Sequence, residues 1–309
     1  MPQRKWKRYG KRLHGLIPFK QLIFTIVRAM VPVPERIFRH LHFKGEFAVK
    51  VSPTESFKVR HWGYLIENRL FWQGLEGWER ISLRLWTLLA RRSSVIFDIG
   101  ANTGIYSLIA GSVNSRARIV AVEPIARVYE KLLYNIELNG SRITPVNVAM
   151  SDHDGKAPIY DHPDSEHVLA VSLRPDWHQQ HVRTRAIEID VRTIPTVMQD
   201  LALDHVDLLK IDVEGHELNV LKGSRSIIER DRPAMLLELL SRETAEEIAA
   251  LLVNVDYVFY SIDEKTWPPV QIDRLEKSRY YNVLICVPEV AREIGLPVRD
   301  PEHQAIRPA

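Results

Sequence analysis

The residues best equipped for chemistry stand in KIDVEGHE, residues 210–217. On a strand Lys210 and Asp212 are two apart and share a face, and a lysine in an otherwise apolar run requires an anionic partner, so a buried ion pair is expected. Asp212, Glu214 and His216 gather where that strand ends, and Gly215 permits a tight turn into a helix begun by Glu217. These three are the candidates for proton transfer. His216 suits a general base near neutral pH, with Asp212 or Glu214 orienting it or taking the role itself. A purely structural reading competes: an ion pair for Lys210 and Asp212, and for Glu217 a helix-start carboxylate favoured by the helix dipole. Lys210, Glu238 in LLELL and Ser172 in LAVSLR are candidate substrate contacts.

A second constellation lies upstream in VIFDIGANTG, residues 95–104, with Asp98, Gly100, Ala101, Asn102 and Gly104 where a strand meets a helix. Glycines at such a junction let the backbone turn sharply and approach a ligand. Glu123, which ends the next strand, is placed to accept hydrogen bonds from ribose hydroxyls. The glycine pattern alone admits a nicotinamide dinucleotide or S-adenosylmethionine. Asp98 discriminates: a carboxylate at the mouth of the loop repels a pyrophosphate and suits a ligand carrying an ammonium and a sulfonium. Farther on, Ser151 and Asp152 in NVAMSD are placed to border an adenine edge.

The elements that must hold these residues alternate between strand and helix. Strands are expected at 95–99, 118–123, 143–150, 206–213 and 234–240, then at 255–262 and 280–287, with helices at 106–112, 126–138 and 243–253. That grammar predicts an α/β fold, a Rossmann-like, mainly parallel sheet covered on both faces, with ligands at the carboxyl ends of its strands. Ahead of it a hairpin is expected between 42 and 75. A helix follows over 76–91 with Trp78, Ile81, Leu85 and Leu88 on one face. The expected organisation is an N-terminal extension over 1–75, a ligand-binding domain over 76–290 and a tail over 291–309.

Composition narrows the function further. The chain has 309 residues, 45% hydrophobic and 26% charged, with one cysteine, Cys286. A disulfide framework and a cysteine-based zinc site are thereby excluded. His153, His162, His167, His178 and His181 crowd a polar segment but follow no ligand spacing, so no metal is expected there; a polar hairpin over the acceptor side is.

The net charge of +3 is concentrated at the front: residues 1–34 carry eight Lys or Arg and no acidic residue. Arg28 interrupts the apolar run LIFTIV after six residues, against a secretory signal, and no stretch reaches the length of a membrane span. A cytoplasmic protein is expected. Leu16, Phe19, Leu22, Ile23, Ile26 and Val27 recur at helical spacing between 16 and 30. Peripheral contact with the inner face of a membrane is one reading of that stripe, and packing on the protein itself is the other. Nucleic acid is not an expected partner, since no recognisable module follows the basic arm.

DIGANTG, VEP at 122–124, the NVAMSD strand end and above all KIDVEGHE resemble the FkbM-type methyltransferases, a branch of the class I S-adenosylmethionine-dependent fold. The resemblance spans about residues 75–290. It implies a seven-stranded sheet with one antiparallel strand, S-adenosyl-L-methionine as cofactor, and methyl transfer to oxygen on a sugar, glycan or secondary metabolite. It also implies that Asp98, Gly100, Asn102 and Gly104 line the methionine portion, that Glu123 holds the ribose, and that Ser151 and Asp152 border the adenine. An NAD(P)-dependent oxidoreductase, a non-catalytic binding module and methylation of nitrogen or carbon are the alternatives.

Overall fold

The computed structural model describes residues 19–161 and 185–299. The chain divides into two compact units, residues 1–78 and 79–309. In the first, α1 (Lys20–Met30) and the single turn α2 (Glu35–Phe38) precede an antiparallel hairpin of β1 (Gly45–Lys50) and β2 (Ser56–His61). Alternation along both strands turns Phe47, Val49, Phe57 and Val59 inward and leaves Glu46, Lys50 and Lys58 outside. α3 (Leu65–Gln73), which the alternating pattern concealed, buries Leu70 and Phe71. Its Phe71 ring meets Phe43 and Phe47 edge-on at 4.6 and 5.3 Å. His61 is wholly buried and held to about 4 by burial, so it is neutral. It accepts from the Gly63 N–H at 3.0 Å and contacts Asn68 Oδ1 at 3.3 Å.

The second unit opens with α4 (Arg80–Ala90), which buries Ile81, Leu83, Leu85, Trp86 and Leu89. The expected face shifts: Leu88 is only half-buried, and Trp78 belongs to the first unit. β3 (Val95–Ile99), α5 (Ile105–Val113), β4 (Arg118–Val122), α6 (Ala126–Asn139) and β5 (Ile143–Val146) follow in right order for a parallel sheet. β9 (Leu208–Ile211), α8 (Glu217–Gly223), α9 (Arg225–Asp231), β10 (Ala234–Glu238) and α10 (Arg242–Leu251) continue it. β11 (Val258–Ser261), β12 (Val270–Ile272), β13 (Asn282–Cys286) and α11 (Pro288–Glu293) complete the unit. The strand order is β12-β11-β13-β10-β9-β3-β4-β5. β5, β4, β3, β9 and β10 run parallel, and β13 inserts antiparallel between β10 and β11.

The seven strands expected are present, and short β12 adds an eighth at the edge. The expected strand over 143–150 is divided. Pro145 lacks a ladder donor, and Asn147 turns its amide onto the carbonyls of Glu123 and Pro124 at 2.8 and 3.1 Å, which ends β5. Residues 149–150 re-enter as β6 in a second sheet with β7 (Gly155–Asp161) and β8 (Arg185–Arg192), an antiparallel pair in the expected polar segment. α7 (Ile194–Asp200) then begins at Thr193, whose side chain accepts from the Thr196 N–H.

The central strands are buried on both faces, β3 and β9 along their whole length, because helices cover both sides of a parallel sheet. The carboxyl ends of β3, β4, β9 and β10 therefore supply the polar side chains of one rim. Glu264, in the loop after β11, accepts from the Ile81 and Ser82 N–H groups at 2.7 and 3.3 Å and caps the start of α4.

Candidate active site

The loop after β3 is built from backbone. Gly100, Asn102 and Gly104 have φ of +79°, +53° and +92°, a left-handed series that a glycine or asparagine tolerates. Gly100 and Ala101 donate to the Val122 carbonyl at 3.0 and 2.9 Å, and Asn102 N–H donates to Glu123 Oε2 at 3.0 Å. A Cβ on Gly100 would lie 1.9 Å from the Asp212 carbonyl oxygen, so the loop and the end of β9 meet backbone to backbone.

Asp98 occupies a different place from the one its position suggested. Its side chain is wholly buried, and Oδ2 accepts from the Ser107 N–H at 2.9 Å and hydroxyl at 2.6 Å in the first turn of α5. One oxygen of this strand-end carboxylate is thus captured at the start of the adjacent helix, where N–H groups are free. Burial raises its pKa, against Lys210 and Ser107. Glu123 is likewise buried, with Oε1 accepting from Ile125 N–H at 2.9 Å, and burial pushes it up to about 7.

Asp98 Oδ1 and Asn102 Oδ1 are buried and lack a hydrogen-bond partner among the described residues. A backbone cradle with spare acceptors and a carboxylate at the next strand end fits a ligand that brings N–H and O–H donors. An ammonium and ribose hydroxyls are such donors.

The β9 end carries the charge. Lys210 is 5% exposed; its Nζ lies 2.8 Å from Asp212 Oδ2 and 4.6 Å from the centre of the Tyr106 ring. Burial alone would lower its pKa, but Asp212, Asp98 and Glu79 outweigh that and raise it. The expected ion pair is therefore present. The lysine proposed from sequence as a substrate contact is thus enclosed by Asp212 and the Tyr106 ring.

One oxygen each from Asp212, Glu214 and Glu238 lies within 4.8 Å of the others. Glu214 holds φ of +54°, an uncommon conformation for a residue with a side chain, and Gly215 follows at +93°. Glu217 fixes this turn: Oε1 accepts from Val213 and Gly215 N–H at 3.2 and 3.0 Å. Burial, then the charges of Asp212 and Glu217, pushes Glu214 up to about 7. Burial, then Asp212 and Glu214, pushes Glu238 up to about 10, so it keeps its proton at neutral pH.

His216 does not join these carboxylates. Its Nε2 lies 3.0 Å from Ser151 Oγ, and Ser151 reaches Asp152 Oδ1 at 3.1 Å. Only Gly215, at φ of +93°, separates His216 from Glu214, and the turn there directs His216 toward the strand end that carries Ser151 and Asp152. Burial lowers its pKa, with Asp152 opposing, so the ring is neutral. Replacing His216 by Gln is expected to weaken donor binding several-fold and leave kcat within about threefold, whereas a general base would cost about 10²–10⁴. Donor titration and kcat at saturating donor separate the two.

Three residues packed around these side chains had no sequence signal. Glu79 starts α4 with φ of +37°, accepts from the Tyr106 hydroxyl at 2.5 Å and is pushed up to about 7 by burial, with Lys210 opposing. Ser107 holds Asp98, and Tyr106 roofs Lys210. Only the sheet brings Glu79 near residues 106 and 210. His153 is exposed beside Asp152, while Ser172, His162, His167, His178 and His181 lie outside the described residues.

The Methyltransferase FkbM domain matches residues 98–259, just over half the chain, from Asp98 at the end of β3 into β11. The chain belongs to the FkbM methyltransferase family. The chain is 31% identical over 153 residues to the methyltransferase sdnD of Sordaria araneosa, covering 41% of this chain and 59% of that protein. It is 24% identical to the hexuronic acid methyltransferase AglP of Haloferax volcanii (49% and 58% covered) and 26% identical to the 2-O-methyltransferase NoeI of Sinorhizobium fredii (50% and 66%). The chain thus spans less than two thirds of the length of these relatives. Among solved structures it is similar to methyltransferase FkbM from Methylobacillus flagellatus KT, 20% identical, with 63% of this chain and 43% of that one covered and a TM-score of 0.42.

Proposed function

We propose that the protein transfers a methyl group from S-adenosylmethionine to a hydroxyl of a sugar or a related polyhydroxylated metabolite. The observation that carries this reading is the convergence of Asp212, Glu214 and Glu238 at the strand ends next to the glycine loop. The names of AglP and NoeI support the acceptor class.

S-adenosylmethionine supplies an electrophilic methyl on a sulfonium. The chain's own residues do the rest. The loop backbone and Glu123 hold the donor, and the carboxylates beside it favour a cationic ligand. Glu238, protonated at neutral pH, offers an O–H to an acceptor oxygen. Glu214, poised near 7, accepts the proton that the acceptor hydroxyl loses as its oxygen bonds to the methyl carbon and the carbon–sulfur bond breaks. Glu214 then returns its proton to water.

A carboxylate base works only when ionised, so turnover is expected to rise as pH climbs through about 7 and then level off. Glu214→Gln is expected to lower kcat by about 10² or more and to abolish that limb, with donor affinity within a few-fold. The assay uses methyl-labelled S-adenosylmethionine with a panel of hexuronic acids and hexosides, and mass spectrometry locates the label. Label on nitrogen or carbon, or an unaltered pH limb in the variant, would remove the assignment.

A further inference from the structure

The first unit carries charge and apolar surface that the chemistry does not use. Residues 1–78 hold 15 Lys or Arg against five Glu and no Asp, a net charge of +10, whereas the remaining residues sum to −7. Helix α1 lies in this basic unit and is apolar on two sides. Phe24 points inward, its ring 5.6 Å from Trp72 and 6.5 Å from Phe43. Arg28 sets its guanidinium 4.2 Å over the Phe71 ring and donates to the Phe71 carbonyl. These contacts, with Gln21 donating to the Glu46 carbonyl, fasten one side of the helix to its own unit.

The other side has no such role. Phe19, Leu22, Ile23, Ile26 and Met30 pair with one another three or four residues apart, on one side of the helix, and are 80%, 61%, 40%, 50% and 76% exposed. A helix whose folding face is already engaged gains nothing for its own stability from a second apolar stripe, and such a stripe in contact with water marks an interaction surface. Its charge context selects the occupant. Arg4, Lys5, Lys7, Arg8, Lys11 and Arg12 precede it, with Trp6 and Tyr9 among them, and no acidic residue occurs before Glu35. Cations attract an anionic surface, large apolar side chains enter a hydrocarbon boundary, and interfacial aromatics favour the layer between.

We infer that α1 lies in the plane of an anionic membrane surface, with Phe19, Leu22, Ile23, Ile26 and Met30 inserted and the basic charge of the N-terminal sequence supplying the attraction. A nucleic acid would match the charge but leave the apolar stripe in water. No helix among the described residues is long and apolar enough to cross a membrane.

Vesicle flotation of the full chain tests this, with phosphatidylcholine alone and with phosphatidylcholine mixed with phosphatidylserine. Binding is expected only to the mixed vesicles and is expected to weaken with added salt. The Leu22→Gln/Ile26→Gln double variant is expected to lose at least about tenfold in vesicle affinity. Each Lys or Arg replaced by Gln in residues 4–12 is expected to cost about fivefold. Melting temperature and S-adenosylhomocysteine binding, which read folding and the active site separately, are expected to be unchanged in both. Undiminished flotation of the Leu22→Gln/Ile26→Gln variant would overturn the inference. So would displacement from vesicles by equal charge of RNA, or a dimer that the same variant dissociates.

Discussion

Gly100→Ala is expected to abolish donor binding and to lower stability by about 2–4 kcal/mol. Two costs add at this position. The residue sits at φ of +79°, where a Cβ brings steric strain of about 1–2 kcal/mol. The added carbon also falls 1.9 Å from the Asp212 carbonyl oxygen, a backbone atom that cannot rotate away. Relief requires the loop and the end of β9 to part, yet both are tied. Gly100 and Ala101 donate to Val122, and Asp212 N–H donates to the Ile99 carbonyl at 3.1 Å. Separation would therefore pull Asn102 from Glu123 and Asp212 from Lys210 together. Titration with S-adenosylhomocysteine and a thermal melt read the two effects. Gly140→Ala is the control: it also has positive φ, at +56°, but nothing within 4 Å of the added carbon. A loss of stability is expected there with donor affinity retained. Equal donor affinity in the Gly100 and Gly140 variants would show that the close approach to Asp212 has no part in binding.

The motifs that bear on function were legible because each couples a backbone requirement to a side-chain requirement. DIGANTG needs glycines where φ turns positive, and KIDVEGHE needs an anion within reach of a lysine in an apolar strand; both demands leave a mark in local sequence. The mainly parallel sheet followed from the alternation of apolar strands with helices. What local sequence could not carry was direction beyond a strand end. Sequence position turns Asp98 toward a ligand, but the N–H and hydroxyl of Ser107 in α5, nine residues on, take one of its two oxygens. His216 stands two residues from Glu214, yet the turn imposed by Gly215 and Glu217 gives one to Ser151 and the other to Asp212 and Glu238. Glu79 was invisible for a different reason: its partners Tyr106 and Lys210 are remote in sequence, and its own surroundings resemble any helix start. The division of 143–150 into two sheets depended on the Asn147 amide finding carbonyls at the end of β4, again a tertiary event.

Lys210→Met is expected to destabilise the protein by about 3–5 kcal/mol at pH 8, because it leaves buried carboxylates without their cation. For a unit of this size that is a fall in melting temperature of about 6–20 °C. Methionine keeps most of the volume and the contact with the Tyr106 ring, so the loss is of charge rather than packing. Asp212, Asp98 and Glu79 all act on the ammonium that is removed. Glu79 already stands at about 7 and Asp98 above its ordinary value, both through burial, and Lys210 is the principal charge that opposes the rise. Without it both move higher still. An acid whose folded pKa exceeds its unfolded value contributes stability that is complete below the unfolded pKa and disappears as pH rises through the folded one. The variant should therefore recover as pH falls from 8 toward 5, as Glu79 and Asp98 take up protons and the uncompensated charge vanishes. Melting curves of wild type and variant across that range provide the measurement. A deficit of constant size would mean that the lysine contributes packing alone. In that case Asp212 would be held at the strand end by its backbone, without help from the ion pair.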